Sequence, residues 1–301
     1  MQELGRTRSA WRLRTRELAL GRRTLVMAVV NLTPDSFSDG GAFATSDAAV
    51  LRCMQCLDEG ADILDLGAES TRPGSLAGSE DAAVNADEEQ ARLLPVLEGI
   101  LRERPDAIVS VDTYKAATAR AALQAGAQIV NDVSGFTWDA DMPRVCADSR
   151  CGVVLMHTRG RPDEWRNQEP LAGDAVLDMV RDGLAASLET ARSAGVADDA
   201  IVLDPGYGFG KRFGENYALL ARQAELLALG HPLLAGLSRK SFLGHTLSEL
   251  HAGSAAPVDA RDSASLAAMT AAILNGASIV RVHNVRPAVE AARIADAILN
   301  A

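Results

Sequence analysis

The chain has 301 residues, 48% hydrophobic and 23% charged, with a formal net charge of −10 at pH 7. Those proportions fit a soluble globular protein and exclude a disordered chain. The acidic balance argues against non-specific nucleic-acid binding and against adhesion to anionic membranes, so an anionic substrate would need a local cluster of cations or helix N-termini.

Seven arginines fall in the first 23 residues, but no apolar core or cleavage motif accompanies them, which reads against a secretory signal. Trp11–Leu20 alternates in part and predicts a short hairpin sealing the bottom of a fold. From Thr24 onward short β-like runs end in polar loops and alternate with helical stretches. Strands are predicted over 24–30, 62–66, 107–111, 128–131, 152–156, 200–203, 233–236 and 278–282. Helices are predicted near 46–59, 86–103, 115–125, 138–148, 173–194, 214–229, 262–275 and 287–300. Gly60, Gly126, Gly195 and Gly276 suit left-handed helix caps. The uncharged span 263–280 carries Ser, Thr, Asn275 and Gly276, so it reads as a helix, a stop and a strand rather than a membrane crossing.

Eight such units predict an α/β fold, a (β/α)₈ TIM barrel, as a single domain over 1–301 with 1–23 as an N-terminal extension. A doubly wound open sheet is the runner-up, but no Gly-x-Gly-x-x-Gly follows the first strand. Cys53, Cys56, Cys146 and Cys151 are the only cysteines. The Cys53–Cys56 spacing suits a redox or zinc site, yet the pair lies on the apolar face of a predicted helix and has no second pair. Buried core thiols in a reducing cytoplasm are expected.

In TIM barrels the chemistry sits at the C-terminal ends of the strands. Here every predicted strand end is polar: Asn31, Asp65 to Gly74, Asp112, Asn131-Asp132, Met156-His157, Asp204 to Lys211, Ser238 to Ser241, and Arg281 with His283. Singly, each has an ordinary structural reading. Asp112 or Asp132 can cap a helix, Asp204 can open a turn before Pro205, His157 can be a satisfied core histidine, and Arg281 with His283 can be a structural pair. Jointly they predict a functional cleft. Asn31–Gly41 keeps two readings, a turn-rich connector and a polar lid over the first strand.

Asp112, Asn131 and Asp204 together offer acceptors and a donor suited to the edge of a flat heterocycle with amino and lactam groups. Lys240, Arg281 and His283 supply the opposite polarity, and Ser241 is expected near a helix N-terminus, where an anion is favoured. The expected mouth thus has an acidic half and a basic half. No Gly-x-Ser-x-Gly or His-Glu-x-x-His is present, which argues against a nucleophilic triad or catalytic zinc and towards a transferase.

Met27-Ala-Val-Val-Asn-Leu-Thr-Pro-Asp-Ser-Phe-Ser-Asp-Gly-Gly41 and Leu64-Asp-Leu-Gly-Ala-Glu-Ser-Thr-Arg-Pro-Gly74 resemble the two signature stretches of the dihydropteroate synthase family. Ser110-Val-Asp-Thr113, Asn131-Asp-Val133, Leu155-Met-His157, Leu203–Lys211, Ser238-Arg-Lys-Ser241 and Arg281-Val-His283 follow in that family's order, so the resemblance covers about Thr24 to Leu299. It implies a (β/α)₈ barrel that joins 6-hydroxymethyl-7,8-dihydropterin pyrophosphate to p-aminobenzoate, giving dihydropteroate and pyrophosphate in folate biosynthesis. It further implies that Asp112, Asn131, Met156, Asp204, Phe209 and Lys240 form the pterin site. Asn31, Thr71, Arg72, Arg281 and His283 would take the pyrophosphate, Asn31 together with Mg²⁺. Phe37, Thr71, Arg72, Pro73, Lys240 and Ser241 would shape the p-aminobenzoate site, with Asp35 and Asp39 on the closing lid. Asn31, Asp112, Lys240, Arg281 and His283 would carry the catalysis, in a cytoplasmic homodimer. Departures from the usual pattern are Gly67-Ala68, a longer connection over Ser75–Ala86, and Asn284 after His283. A methyltetrahydrofolate:corrinoid methyltransferase shares a pterin-binding barrel but should not need the Ser238–Ser241 and Arg281–His283 anion sites. A pterin-binding protein without catalysis is the remaining alternative.

Overall fold

The computed structural model describes residues 9–32, 42–71, 74–79 and 84–301. The β-branched runs form strands because each is buried on both faces, inside by the barrel interior and outside by helices. A hairpin, β1 (Ser9–Arg12) and β2 (Glu17–Leu20), precedes β3 (Leu25–Asn31), α1 (Ala42–Asp58), β4 (Ile63–Gly67), α2 (Ala86–Glu103), β5 (Val109–Asp112) and α3 (Ala116–Ala125). Then come β6 (Ile129–Asp132), α4 (Met142–Ser149), β7 (Gly152–Met156), α5 (Gly173–Ser193), β8 (Ile201–Asp204), α6 (Phe213–Ala221) and β9 (Leu233–Ala235). The last elements are α7 (Ser241–Thr246), α8 (Asp262–Leu274), β10 (Ala277–Val282) and α9 (Val285–Leu299). Strands β3 to β10 close into one parallel barrel, with β10 beside β3, and β1 pairs antiparallel with β2. The barrel and the hairpin expected from the sequence are both present, and the open sheet is excluded.

Strand side chains alternate in direction with period two, and this sets the site. One inward layer is apolar: Met27, Ile63, Ile129, Val154, Val202, Leu234 and Ile279 pack on Trp11, Leu13 and Leu20 of the hairpin segment. The indole N–H of Trp11 donates to the Ala200 carbonyl at 2.8 Å, which fixes the plug under the barrel. Two residues further along the same strands, the inward positions are Asp65, Asn131, Met156, Asp204, Gly236 and Arg281. A polar layer therefore lies one pleat above a sealed apolar one.

Three helical boundaries differ from expectation. Bends and turns run on through 138–141, with Ser134 Oγ accepting the Thr137 and Trp138 N–H groups, so α4 begins only at Met142, with Pro143 in its first turn. The predicted 214–229 helix breaks after Ala221 and continues as a 3₁₀ stretch over Gln223–Leu229. The buried Gln223 amide donates to the Ala272 and Asn275 carbonyls and accepts from Tyr207, so tertiary bonds override a continuous helix. The short α7 falls outside the eight predicted helical stretches, although a helix N-terminus was expected at Ser241. All four cysteines are free and buried, as expected, and burial pushes the Cys53 thiol up to about 12. Among the described residues no helix is long and apolar enough to cross a membrane.

Because Trp11 is fully buried and hydrogen-bonded, Trp11→Ala should cost about 3–5 kcal/mol of stability. Urea unfolding checks this; a loss under about 1 kcal/mol would mean the hairpin does not close the barrel.

Candidate active site

The mouth of the barrel holds one guanidinium between two carboxylates. Arg281 Nε donates to Asp65 Oδ2 at 2.6 Å, and its Nη2 donates to Asp112 Oδ2 at 2.5 Å. Asn131 Nδ2 donates to the same Asp65 oxygen at 3.0 Å. Asp65 is fully buried, and its other oxygen has no hydrogen-bond partner. Burial works against the charge on Arg281, but Asp65, Asp112 and Asp204 outweigh it and push its pKa up. Burial lifts the Asp112 carboxyl to about 7 against the pull of Arg281. Asp204, raised by burial, accepts the Gly206 N–H at 2.7 Å. Gly206 sits at φ 68, with the His157 carbonyl where a Cβ would lie, so only glycine fits this turn.

Lys240 lies on the opposite wall, with Nζ 3.9 Å from the centroid of Phe209. It is the N-cap of α7, and Ser241 is the first residue of that helix, as expected. Arg239 adopts φ 58, rare for a side chain larger than glycine. Its guanidinium is fixed outside by Asp262 at 2.8 and 3.1 Å, and its N–H by Ser265 Oγ at 2.8 Å. This reversal lets Arg239 point away from the site while Lys240 lies over Phe209. Behind Phe209, the buried Lys211 donates to the Gly206, His157 and Phe209 carbonyls at 2.7, 3.2 and 3.2 Å, pinning the loop after β8. Met156, Val133, Tyr114 and Ala77 form an apolar wall, with Trp138 and Phe209 packed on it. Gly78, at φ 79, lies so close to the Trp138 ring that a Cβ would stand 2.6 Å away, so part of the long 75–86 connection is built onto this wall.

The chain matches the family model described as pterin binding enzyme over residues 27–283. The chain belongs to the pterin binding enzyme family. Dihydropteroate synthase of Bacillus subtilis is 40% identical over 283 residues, covering 94% of this chain and 91% of that protein. The mitochondrial folate synthesis bifunctional protein of Pisum sativum is 42% identical over 289 residues, covering 92% of this chain and 54% of that protein. The chain thus spans about half the length of the plant bifunctional proteins it matches. A crystal structure of Xanthomonas albilineans dihydropteroate synthase with 4-aminobenzoic acid matches with a TM-score of 0.85 at 38% identity, covering 98% of this chain and all of that one.

Within this pterin binding fold the residues singled out from the sequence do converge. Asp112, Asn131, Met156, Asp204, Lys240, Phe209 and Arg281 share the mouth, and Asn31 ends β3 as an exposed residue. His283 follows β10, with Nδ1 3.0 Å from Ser238 Oγ. Thr71 is half-buried beyond β4. Phe37, Asp35, Asp39, Arg72 and Pro73 lie outside the described residues, as does most of the Asn31–Gly41 stretch for which a lid was expected.

Three expectations need correction. The acidic and basic halves are not separate, because Arg281 sits directly on Asp65 and Asp112. His283 is not a cation here: burial first, then Arg281, Arg239 and Lys240, lower its pKa to about 3. Asp132 neither caps a helix nor faces the mouth. It is buried and accepts the N–H groups of Ser134 and Phe136 at 2.8 and 2.9 Å, holding a turn. His157 is a core histidine, yet its buried Nδ1 has no partner. Sequence reasoning missed the roles of Asp65, Arg239 and Lys211. A carboxylate inside the apolar run Ile63-Leu-Asp-Leu66, two residues after an inward Ile, was the available signal for Asp65.

Burial lowers Lys240 to about 7, with Asp204 and Asp112 opposing and Arg281 assisting. A free lysine titrates near ~10.4, so between these values the unfolded chain holds a proton that the folded chain has released. The stability contributed at this position therefore rises with pH from about 7 towards ~10. Lys240→Met should raise the unfolding midpoint most at and below about pH 7, and the gain should shrink towards ~9.5. A gain that does not vary with pH, measured by denaturation across that window, would contradict this assignment.

Proposed function

We propose that this chain catalyses the dihydropteroate synthase reaction, joining 6-hydroxymethyl-7,8-dihydropterin pyrophosphate to p-aminobenzoate with release of pyrophosphate. The observation that carries the reading is the single polar layer in which Asp65, Asp112, Asn131, Asp204 and Arg281 converge from different strands above an apolar plug. Family membership and the named synthase relatives support it.

In this reading Asp112, Asn131 and Asp204 face the N–H edge of the pterin, with Met156 as apolar wall and Lys240 over Phe209 at one side. Arg281 has Nε on Asp65 and Nη2 on Asp112, so its Nη1 edge is the part to meet the pyrophosphate. His283 stands beside it, and the amine substrate comes from the side of Thr71 and Ser241; by the family resemblance Phe37, Arg72 and Pro73 would join them. Asn31 supplies one exposed oxygen donor at a strand end. That suits Mg²⁺, which keeps most of its waters and binds largely through substrate phosphates. When bound, the ion would neutralise charge on the leaving pyrophosphate.

The methylene C–O bond breaks with its electron pair going to pyrophosphate, and the cation left behind is delocalised over the dihydropterin. Arg281 stabilises the departing charge, and Asp112 lies near the developing cation. The aromatic amine is neutral and nucleophilic at pH 7, so its nitrogen forms the new C–N bond without a strong general base and then sheds one N–H proton to the released pyrophosphate or to water. We further infer a homodimer through α8 and α9, where Ile294 and Ile298 are 64% and 54% exposed. A monomer in sedimentation at micromolar concentration would reject that. The buried free thiols favour a cytoplasmic location.

Incubation with both substrates and Mg²⁺ should release pyrophosphate only when p-aminobenzoate is present; no such dependence would overturn the reading. Since Arg281 also holds Asp112, Arg281→Ala should weaken the free pterin several-fold and its pyrophosphate ester by about 100-fold. Asp204→Asn should weaken both ligands alike, by about 10- to 100-fold. Calorimetry with each ligand distinguishes them, and equal losses from Arg281→Ala would remove Arg281 from the anion site.

A further inference from the structure

One group of buried charges lies beside the mouth and takes no part in the chemistry above. Glu69 follows β4, two residues before Thr71. Lys115 is the N-cap of α3, three residues after Asp112, and Glu89 lies in the first turn of α2. Lys115 Nζ pairs with Glu69 Oε2 and stands 3.4 Å from Glu89 Oε2. It also lies 4.3 Å from the centroid of the Tyr114 ring, on the apolar wall of the site. Glu89 is 1% exposed and accepts a second hydrogen bond, from Thr118 Oγ1 at 2.7 Å. The remaining oxygen of Glu69 is buried without a partner, so Lys115 is the only cation paired with Glu69 among the described residues. Next to it, the Ala68 carbonyl accepts from Arg92 at 3.0 Å, and Arg92 pairs with Glu88 on α2.

We propose that Lys115 is a positioning residue for the amine substrate. It ties the root of the loop after β4, which leads to Thr71, onto the loop after β5, which follows Asp112. The inference rests on the proposed function, in which Thr71 meets p-aminobenzoate.

The argument is electrostatic. One buried ammonium serves two carboxylates, and without it Glu69 and Glu89 face each other unpaired. Glu89 belongs to a helix and is held by Thr118, so it cannot leave. Glu69 lies in a loop, and the cheapest relief is to turn its carboxylate out to water, which drags residues 69–71 with it. Asp112 is anchored separately by Arg281, so the pterin layer stays in place. The loss therefore falls on one substrate and not on the other.

The test compares the 301-residue chain with Lys115→Met, Lys115→Arg and the double variant Lys115→Met/Glu69→Gln. Lys115→Met should raise the KM for p-aminobenzoate about tenfold or more, through a displaced loop. Its affinity for the free pterin, by calorimetry, should stay within about twofold. Lys115→Arg keeps the charge and should stay near the parent, and Glu69→Gln on top of Lys115→Met should recover most of the KM. Hydrogen exchange reads the tie without turnover: the amides of residues 69–71 should exchange about tenfold faster in Lys115→Met, while those of 131–136 are unchanged. Faster exchange in a chain whose parent shows no turnover supports the tie and rejects only the synthase reading. A Lys115→Met protein that melts earlier but keeps both its KM and its 69–71 exchange would overturn the inference, as would parallel losses for pterin and amine. Should Lys115→Met not fold, Glu69→Gln alone keeps the Lys115–Glu89 pair and should show the same selective rise, about threefold; no rise would overturn the inference too.

Discussion

A guanidinium held between two carboxylates organises the mouth of this barrel. Arg281 reaches from β10 across to Asp65 on β4 and Asp112 on β5, so one side chain spans the opening. Removing charges from water at such a depth is costly, and the cost is offset only when partners and hydrogen bonds are complete. Asn131 adds a second donor to the Asp65 oxygen that Arg281 holds, while the other Asp65 oxygen stays without a partner. The arrangement keeps Arg281 charged and fixes the direction of Asp112 before any ligand arrives. A site prepared in this way loses less order on binding.

The barrel makes the arrangement possible through the pleat. Inward side chains recur every second residue, so the apolar layer over the Trp11 plug dictates where the next, polar layer falls. The surrounding loops are then held by charges facing away from the ligand. Arg239 is paired to Asp262, Lys211 caps three carbonyls, and Lys115 lies between Glu69 and Glu89. Each of these cations is tied up in structure, whereas Lys240 and one edge of Arg281 remain towards the mouth.

Most of the strands were legible from their β-branched runs, with limits within two residues of those observed. Reading strand ends as polar located the mouth as well. What failed was parity. Asn131 and Asp132 are neighbours, and only Asn131 falls in step with the inward Ile129, so Asp132 turns to hold the Ser134–Phe136 backbone. Counting in twos from Ile63 would also have placed Asp65 inside. The partner choice of Arg281 was beyond any local pattern, because Asp65 and Arg281 are 216 residues apart. The same holds for the break after α6, where Gln223 answers to the Ala272 and Asn275 carbonyls, 49 and 52 residues away in the chain. Charge state was equally hidden: His283 reads as a basic partner of Arg281 in the sequence, and its half-buried position among Arg281, Arg239 and Lys240 lowers its pKa and holds it neutral.

The dependence of the site on the Arg281–Asp65 pair is tested most directly by a double-substitution cycle of Asp65→Asn and Arg281→Met, read as affinity for the pterin pyrophosphate by calorimetry. If the two act as one unit, each single variant loses about 30-fold or more and the double variant is within about threefold of the weaker single. Losses that multiply would show that Arg281 holds its place without Asp65, and would contradict the account.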